Sequence, residues 1–108
     1  MKTYAAPQSI EVLRQQLNGE AAIIGWPELQ RHFARGVLIK VAPRADLIDV
    51  AAHIAADDRG GVAEWLAQGL VRPASTEDAI AWQARQASFW AVVTAPWVLV
   101  QEILQDYS

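Results

Sequence analysis

Three ionisable residues at helical spacing, Asp49, His53 and Asp57, are the first place in this sequence to look for chemistry. Steps of four put them on one stripe of a helix, with Asp46 close by. Carboxylates and an imidazole placed this way could hold a divalent cation. One carboxylate could instead orient the imidazole for proton transfer. The competing reading is the wet side of an amphipathic helix, because Leu47, Val50, Ala51 and Ile54 fall on the adjoining face. A metal would also need a ligand from a second element, and the other histidine is His32.

A second group is cationic: Arg31, Arg35, Lys40 and Arg44, with no acid between them. A basic face could meet phosphates. Asp46, Asp49, Asp57 and Asp58 follow at once and offset that charge, and no helix-turn-helix or base-stacking pattern accompanies it. Nucleic acid is therefore not the expected partner. A solvated face is the plainer account, and the basic patch of one copy could also meet the acidic helix of another.

The third group is Trp26, Trp65, Trp82, Trp90 and Trp97, five tryptophans in 108 residues. Each carries a large apolar area and one N–H that needs an acceptor. Trp65 fits the inward face of its helix. Trp82 falls away from Ile80, Ala84 and Ala87 on the helical wheel, which marks it as a surface residue. Trp90 and Trp97 flank an apolar run. Trp82, Trp90 and Trp97, with Arg31 and Arg35, are thus the candidates for an interface, where tryptophan and arginine are enriched.

Other chemistries find no support. The chain has no cysteine, which excludes disulfides, thiolate metal sites and cysteine nucleophiles. Gly60-Gly61 leads into Val62 rather than a Lys-Ser/Thr pair, so no phosphate loop forms. The serines lack a nucleophile-elbow context. No catalytic residue and no cofactor are assigned. The net charge of −3, with 53% apolar and 19% charged residues, describes one globular domain with no global pull toward polyanions. The longest apolar run, Trp90 to Val100, is about half the ~20 residues of a membrane helix. No membrane association is expected, and the N-terminus lacks a signal-peptide core, leaving the cytoplasm as the expected location.

The elements that must position these residues can be read in order. Residues 1–8 are expected to form a loose leader and residues 9–108 a single domain. Ser9 caps a helix carrying Ile10, Leu13, Leu17, Ala21 and Ile24, which is expected to run through Gly19 to about Ile24, with a stop at Asn18-Gly19 as the alternative. Trp26-Pro27 opens a second helix that ends at Gly36. Residues 37–42 read as a strand. Asp46 caps a third helix, and Asp57 to Gly61 break it. Val62, Trp65 and Leu66 form the inward face of a fourth. Residues 70–72 suggest a short strand, and Ser75-Thr76-Glu77-Asp78 opens a fifth helix with a capping box.

Residues 89–102 read as strand. Ala95-Pro96 makes a poor hairpin turn, since proline cannot take positive φ. One long strand bent at Pro96, or two offset strands, is expected, with a helix over 97–105 as the rival. The fold class is α+β: a small sheet of two to four strands, with about five short helices packed on one side. Both long strands are apolar on both faces and are expected to pair.

Several of these phrases resemble a family of short bacterial proteins known only as a domain of unknown function. They are Trp26-Pro27-Glu28-Leu29-Gln30-Arg31-His32-Phe33-Ala34-Arg35-Gly36, the run Trp90 to Glu102, the segment Asp46 to Ala52, the Asp57-Asp58 pair and the Trp65 helix. The likeness spans residues 10–102. It implies one bacterial domain and carries no activity, cofactor or catalytic residue. The function expected from all this is a non-enzymatic protein-interaction module, self-associating or an adaptor, with the tail strand as an open edge. A ligand or metal site at Asp49, His53 and Asp57 is the alternative. Weak nucleic-acid binding through Arg31, Arg35, Lys40 and Arg44 is the third.

Overall fold

The structure, a computed structural model, describes residues 9–104. The expected leader, 1–8, lies outside the described residues. Helix α1 spans Ile10–Glu20, and the Ser9 side chain accepts from the Val12 N–H at 3.2 Å. It does not run on to Ile24. The chain turns extended at Ala21 and forms strand β1, Ala22–Gly25. Two β-branched isoleucines just ahead of a proline-initiated helix favour that break. Helix α2, Trp26–Ala34, then starts at once, with the Gly25 N–H donating to Glu28.

Strand β2, Leu38–Val41, leads to α3, Leu47–Ala55, capped by Asp46. Helix α4, Arg59–Ala67, precedes strand β3, Val71–Pro73. Helix α5, Thr76–Arg85, carries the expected Ser75–Asp78 capping box. Strands β4, Ser88–Thr94, and β5, Trp97–Glu102, complete the described chain.

The sheet has five strands in the order β1-β4-β5-β2-β3, more than the two to four expected. The expected pairing of the 37–42 strand with the tail is present, as a parallel β2–β5 ladder. The tail itself is a tight hairpin in which Thr94 faces Trp97, not one bent strand and not a helix. Its turn contains a cis Ala95–Pro96 peptide, and turns of that type do not call for positive φ. Nor is the tail an open edge: β4 and β5 are interior, and β1 and β3 are the edges.

Helices cover both faces of the sheet, not one. Leu17 of α1 and Leu47, Val50 and Ala51 of α3 pack on Val41, Val71, Val92 and Leu99. On the other face, Trp26 and Leu29 of α2 and Trp82 of α5 pack on Leu38, Phe89, Val98 and Val100. Alternation along β5 explains this: Val98 and Val100 point one way and Leu99 the other, so each face needs its own cover.

Helix α5 reverses the expected wheel. Trp82 is 1% exposed and Ile80 is 65% exposed. The inward ridge is Asp78 and Trp82, one turn apart. Asp78 can be inside because Lys40 donates to it at 2.8 Å. Trp82 stacks edge-on against Phe89 at 4.9 Å, and its N–H donates to Glu102, which also takes both Arg85 bonds at 2.7 Å. Trp82 is therefore a core residue and no part of an interface.

Candidate functional site

His53 sits near the end of α3 and joins three segments. Its Nδ1 meets Asp58 Oδ2 at 2.7 Å, and Nε2 lies 3.5 Å from Asp49 Oδ1. Trp65 of α4 stands edge-on to the imidazole, 5.2 Å between centroids. From α1, Arg14 reaches Asp49 at 3.4 Å. Asp58 also caps α4, where its Oδ1 accepts from the Gly61 N–H at 3.2 Å. The His53 hydrogen bond and then the Gly61 amide hold the Asp58 carboxyl below its ordinary range, against a small opposing effect of burial.

The expected triad is not assembled. Asp49 and His53 are neighbours, but α3 ends at Ala55 and the chain turns left-handed at Asp57, φ 58°. Asp57 then pairs with Arg59 on the exposed surface. The third acid at the imidazole is Asp58. Asp49 and Asp58 address opposite edges of the ring, so the three share no point where a cation could sit. Among the described residues no cluster of three or more His, Asp or Glu side chains is arranged to hold a metal. His32 is on α2, on the opposite face of the sheet from α3.

The expected basic patch also divides. Lys40 is committed to Asp78 and lies 5.8 Å from the Trp82 ring centroid. Arg31 and Arg35 are exposed on the last turn and C-cap of α2, and Arg44 is in the loop after β2. Among the described residues none of these three arginines forms a salt bridge. Trp90 and Trp97 are both exposed.

One apolar-lined cavity is a groove of about 370 Å³ between α4 and the β3 side of the sheet. Its walls are Val62, Ala63 and Leu66 of α4, Ile54 of α3, and Ile39, Val71, Pro73 and Trp97 from the strands. Asp57, Asp58 and Arg59 close one end. No residue of α4 is fully buried, so this helix stands off the sheet rather than sealing it. Leu66, expected to point inward, is 49% exposed on one rim, and Trp97 is 38% exposed on the other.

The sequence hid two parts of this. The run Asp57 to Gly61 reads as a helix breaker, yet Asp58 is also an N-cap three residues before Gly61, a start signal. The groove itself depends on how far α4 stands from β3, which no spacing reports. Asp58→Ala is expected to lower global stability through the lost cap. It should raise amide exchange rates in α4 more than in α3, measurable residue by residue by NMR.

An α+β domain with an apolar groove beside α4 is the class these features define. The chain belongs to the family described as Protein of unknown function (DUF2288), whose model matches residues 12–102. It is similar to a protein solved by NMR, PA1075 from Pseudomonas aeruginosa. The two share 39% identity and a TM-score of 0.78, over 99% of this chain and 98% of the other. No curated protein matches this chain. Among the described residues no helix is long and apolar enough to cross a membrane.

Proposed function

We propose that this protein is a non-enzymatic interaction module and that the α4–β3 groove receives an apolar segment of its partner. The observation that carries the reading is the pairing of Leu66 and Trp97 on the two rims of an apolar-lined groove. Burying two such side chains against a partner contributes roughly 1.5–3 kcal/mol for a leucine and more for a tryptophan, before association costs. Among the described residues every buried side-chain nitrogen and oxygen already has a partner, which suits an apolar guest better than a polar substrate. The setting proposed with it is the bacterial cytoplasm.

Leu66→Asp and Trp97→Ala test the groove from its two sides. Each is expected to weaken binding of an apolar fluorescent dye about tenfold or more, and to abolish capture of any partner the unmodified chain retains. Both sites are partly exposed, so stability should change little for Leu66→Asp, within about 0.5 kcal/mol. Undiminished dye binding and partner capture in both variants would dispose of this reading. A second reading has one observation in its favour: a volume of 370 Å³ falls in the range that small apolar ligands occupy. Mass spectrometry of the native protein distinguishes it, since a small ligand would add its mass to the chain.

A further inference from the structure

Of the two sheet edges among the described residues, β1 offers a further strand the more open hydrogen-bond pattern. At the β1 edge, the Trp26 N–H donates to the Ala87 carbonyl. Because Gly25 is registered on Ser88 and Ile24 on Phe89, the alternation of an antiparallel ladder is then fixed. Ala22 and Ile24 exchange bonds with β4, and the N–H and C=O of Ile23 face away from the sheet. Across β4, the Ile103 N–H donates to Ser88, which gives the same phase from the other side. At the β3 edge, the bonds from Ala74 to Leu38 and from Ala42 to Leu70 turn Val71 and Pro73 outward. Pro73 has no N–H to offer, and β3 is three residues long. That edge is protected in a way common among natural sheets.

The open edge is also apolar. Ile23 is 58% exposed, and its registered neighbour Trp90 is exposed beside it. We infer that two copies of this chain pair through β1, antiparallel about a two-fold axis at Ile23, joining their sheets into one. Ile23 is the self-complementary point: its outward N–H and C=O can each meet those of the other copy's Ile23, the geometry of a hydrogen-bonded antiparallel pair. Extending the register outward sets Ala22 against Ile24, Ala21 against Gly25 and Glu20 against Trp26, so no charge meets a like charge over that span. Pairing of β1 with itself gives a closed dimer and not a filament. This inference deepens the interaction-module reading and rests on it, yet it uses the edge opposite the groove, so each can fail without the other.

Light scattering on the full chain over a concentration series tests it, with amide exchange at Ile23 read by NMR. A monomer–dimer equilibrium is expected, with the Ile23 amide more protected as concentration rises. Ile23→Pro removes the outward N–H without removing a bond to β4. It should raise the dissociation constant about tenfold or more, the effect of two lost hydrogen bonds. Ile23→Lys keeps the backbone and places two cations face to face. It should do the same, and decides the matter if the proline variant folds poorly. Dye binding in the groove should be unchanged in both. A strict monomer, or a dimer indifferent to both variants, overturns the inference. So does an Ile23 amide protected equally at all concentrations, which would mean that the chain covers its own edge.

Discussion

Trp82→Ala is expected to lower the unfolding free energy by about 4 kcal/mol, in the range for buried aromatics replaced by alanine. The indole is 1% exposed and holds three roles at once. It fills the face between α5 and the sheet, against Phe89 at 4.9 Å and Trp26 at 5.6 Å. It lies beneath the Lys40 ammonium. Its N–H donates to Glu102 at 3.3 Å. The cavity left behind is bounded by the Phe89 and Trp26 rings, and the cost grows with whatever part of it stays unfilled. A domain of this size has about 5–15 kcal/mol in total, so the loss is a large fraction.

Urea unfolding followed by circular dichroism measures it. Ile80→Ala is the control: on the naive wheel it is the core residue, but at 65% exposure it should cost within about 0.5 kcal/mol. If the two variants were equally destabilised, α5 could not sit with Trp82 inward and Ile80 in solvent.

That wheel misleads for a physical reason, which also sets how much of this molecule the sequence exposes. Local signals read well. Ser9, Asp46 and Ser75 are caps, Pro27 starts a helix, and the Ser75–Asp78 box is where its pattern places it. Pairing of β2 with the tail also follows from two strands that are apolar on both faces. What fails is anything decided by a partner distant in sequence. Asp78 looks like a surface acid until Lys40, 38 residues away, arrives beside it; with that charge matched, the Asp78–Trp82 ridge can turn inward.

Ile23 and Ile24 continue a helical stripe until β4 offers them a ladder. Ala95-Pro96 looks unfit for a hairpin because the isomer of the peptide bond is not written in the residue types. At the candidate site, Asp49 and His53 are legible as helix neighbours, while Asp58 replaces Asp57 because one left-handed residue rotates the chain. The exposed Trp97 is legible as an interface candidate. Its position across from Leu66 is not, since it depends on a hairpin and a helix that meet only in the folded sheet.

Removing the Asp78 carboxylate should have the second largest effect, and one that depends on pH. Burial by itself pushes this carboxyl up. The hydrogen bonds from Lys40 and from the Ser75 amide and hydroxyl outweigh that and bring it below its ordinary value of 3.8. A carboxyl whose native value is depressed stabilises the fold fully above the unfolded value. That contribution is lost as pH falls below about 3.8 and through the lower native value.

Asp78→Ala at neutral pH leaves the Lys40 ammonium half-buried without its acceptor and the Ser75 N–H without its cap. The expected cost is about 2–3 kcal/mol, below the usual range for a fully buried pair because Lys40 keeps some contact with water and Arg72 stays nearby. Asp78→Asn keeps the shape and loses the charge, and should cost less. Its difference from the native chain should hold constant at neutral and mildly acid pH and shrink only as pH falls below about 3.8, in urea titrations run from pH 7 down to about pH 2. The acid limb will not flatten entirely, because Glu102 is also held low, chiefly by its bonds from Arg85, and burial opposes that only in part.

Combining Asp78→Asn with Lys40→Met removes both charges together, and should recover much of the loss, since neither ion is then stranded. A difference between native and Asp78→Asn chains that stays constant across that pH span would refute the pairing as an electrostatic one. It would leave Asp78 only its role at the start of α5.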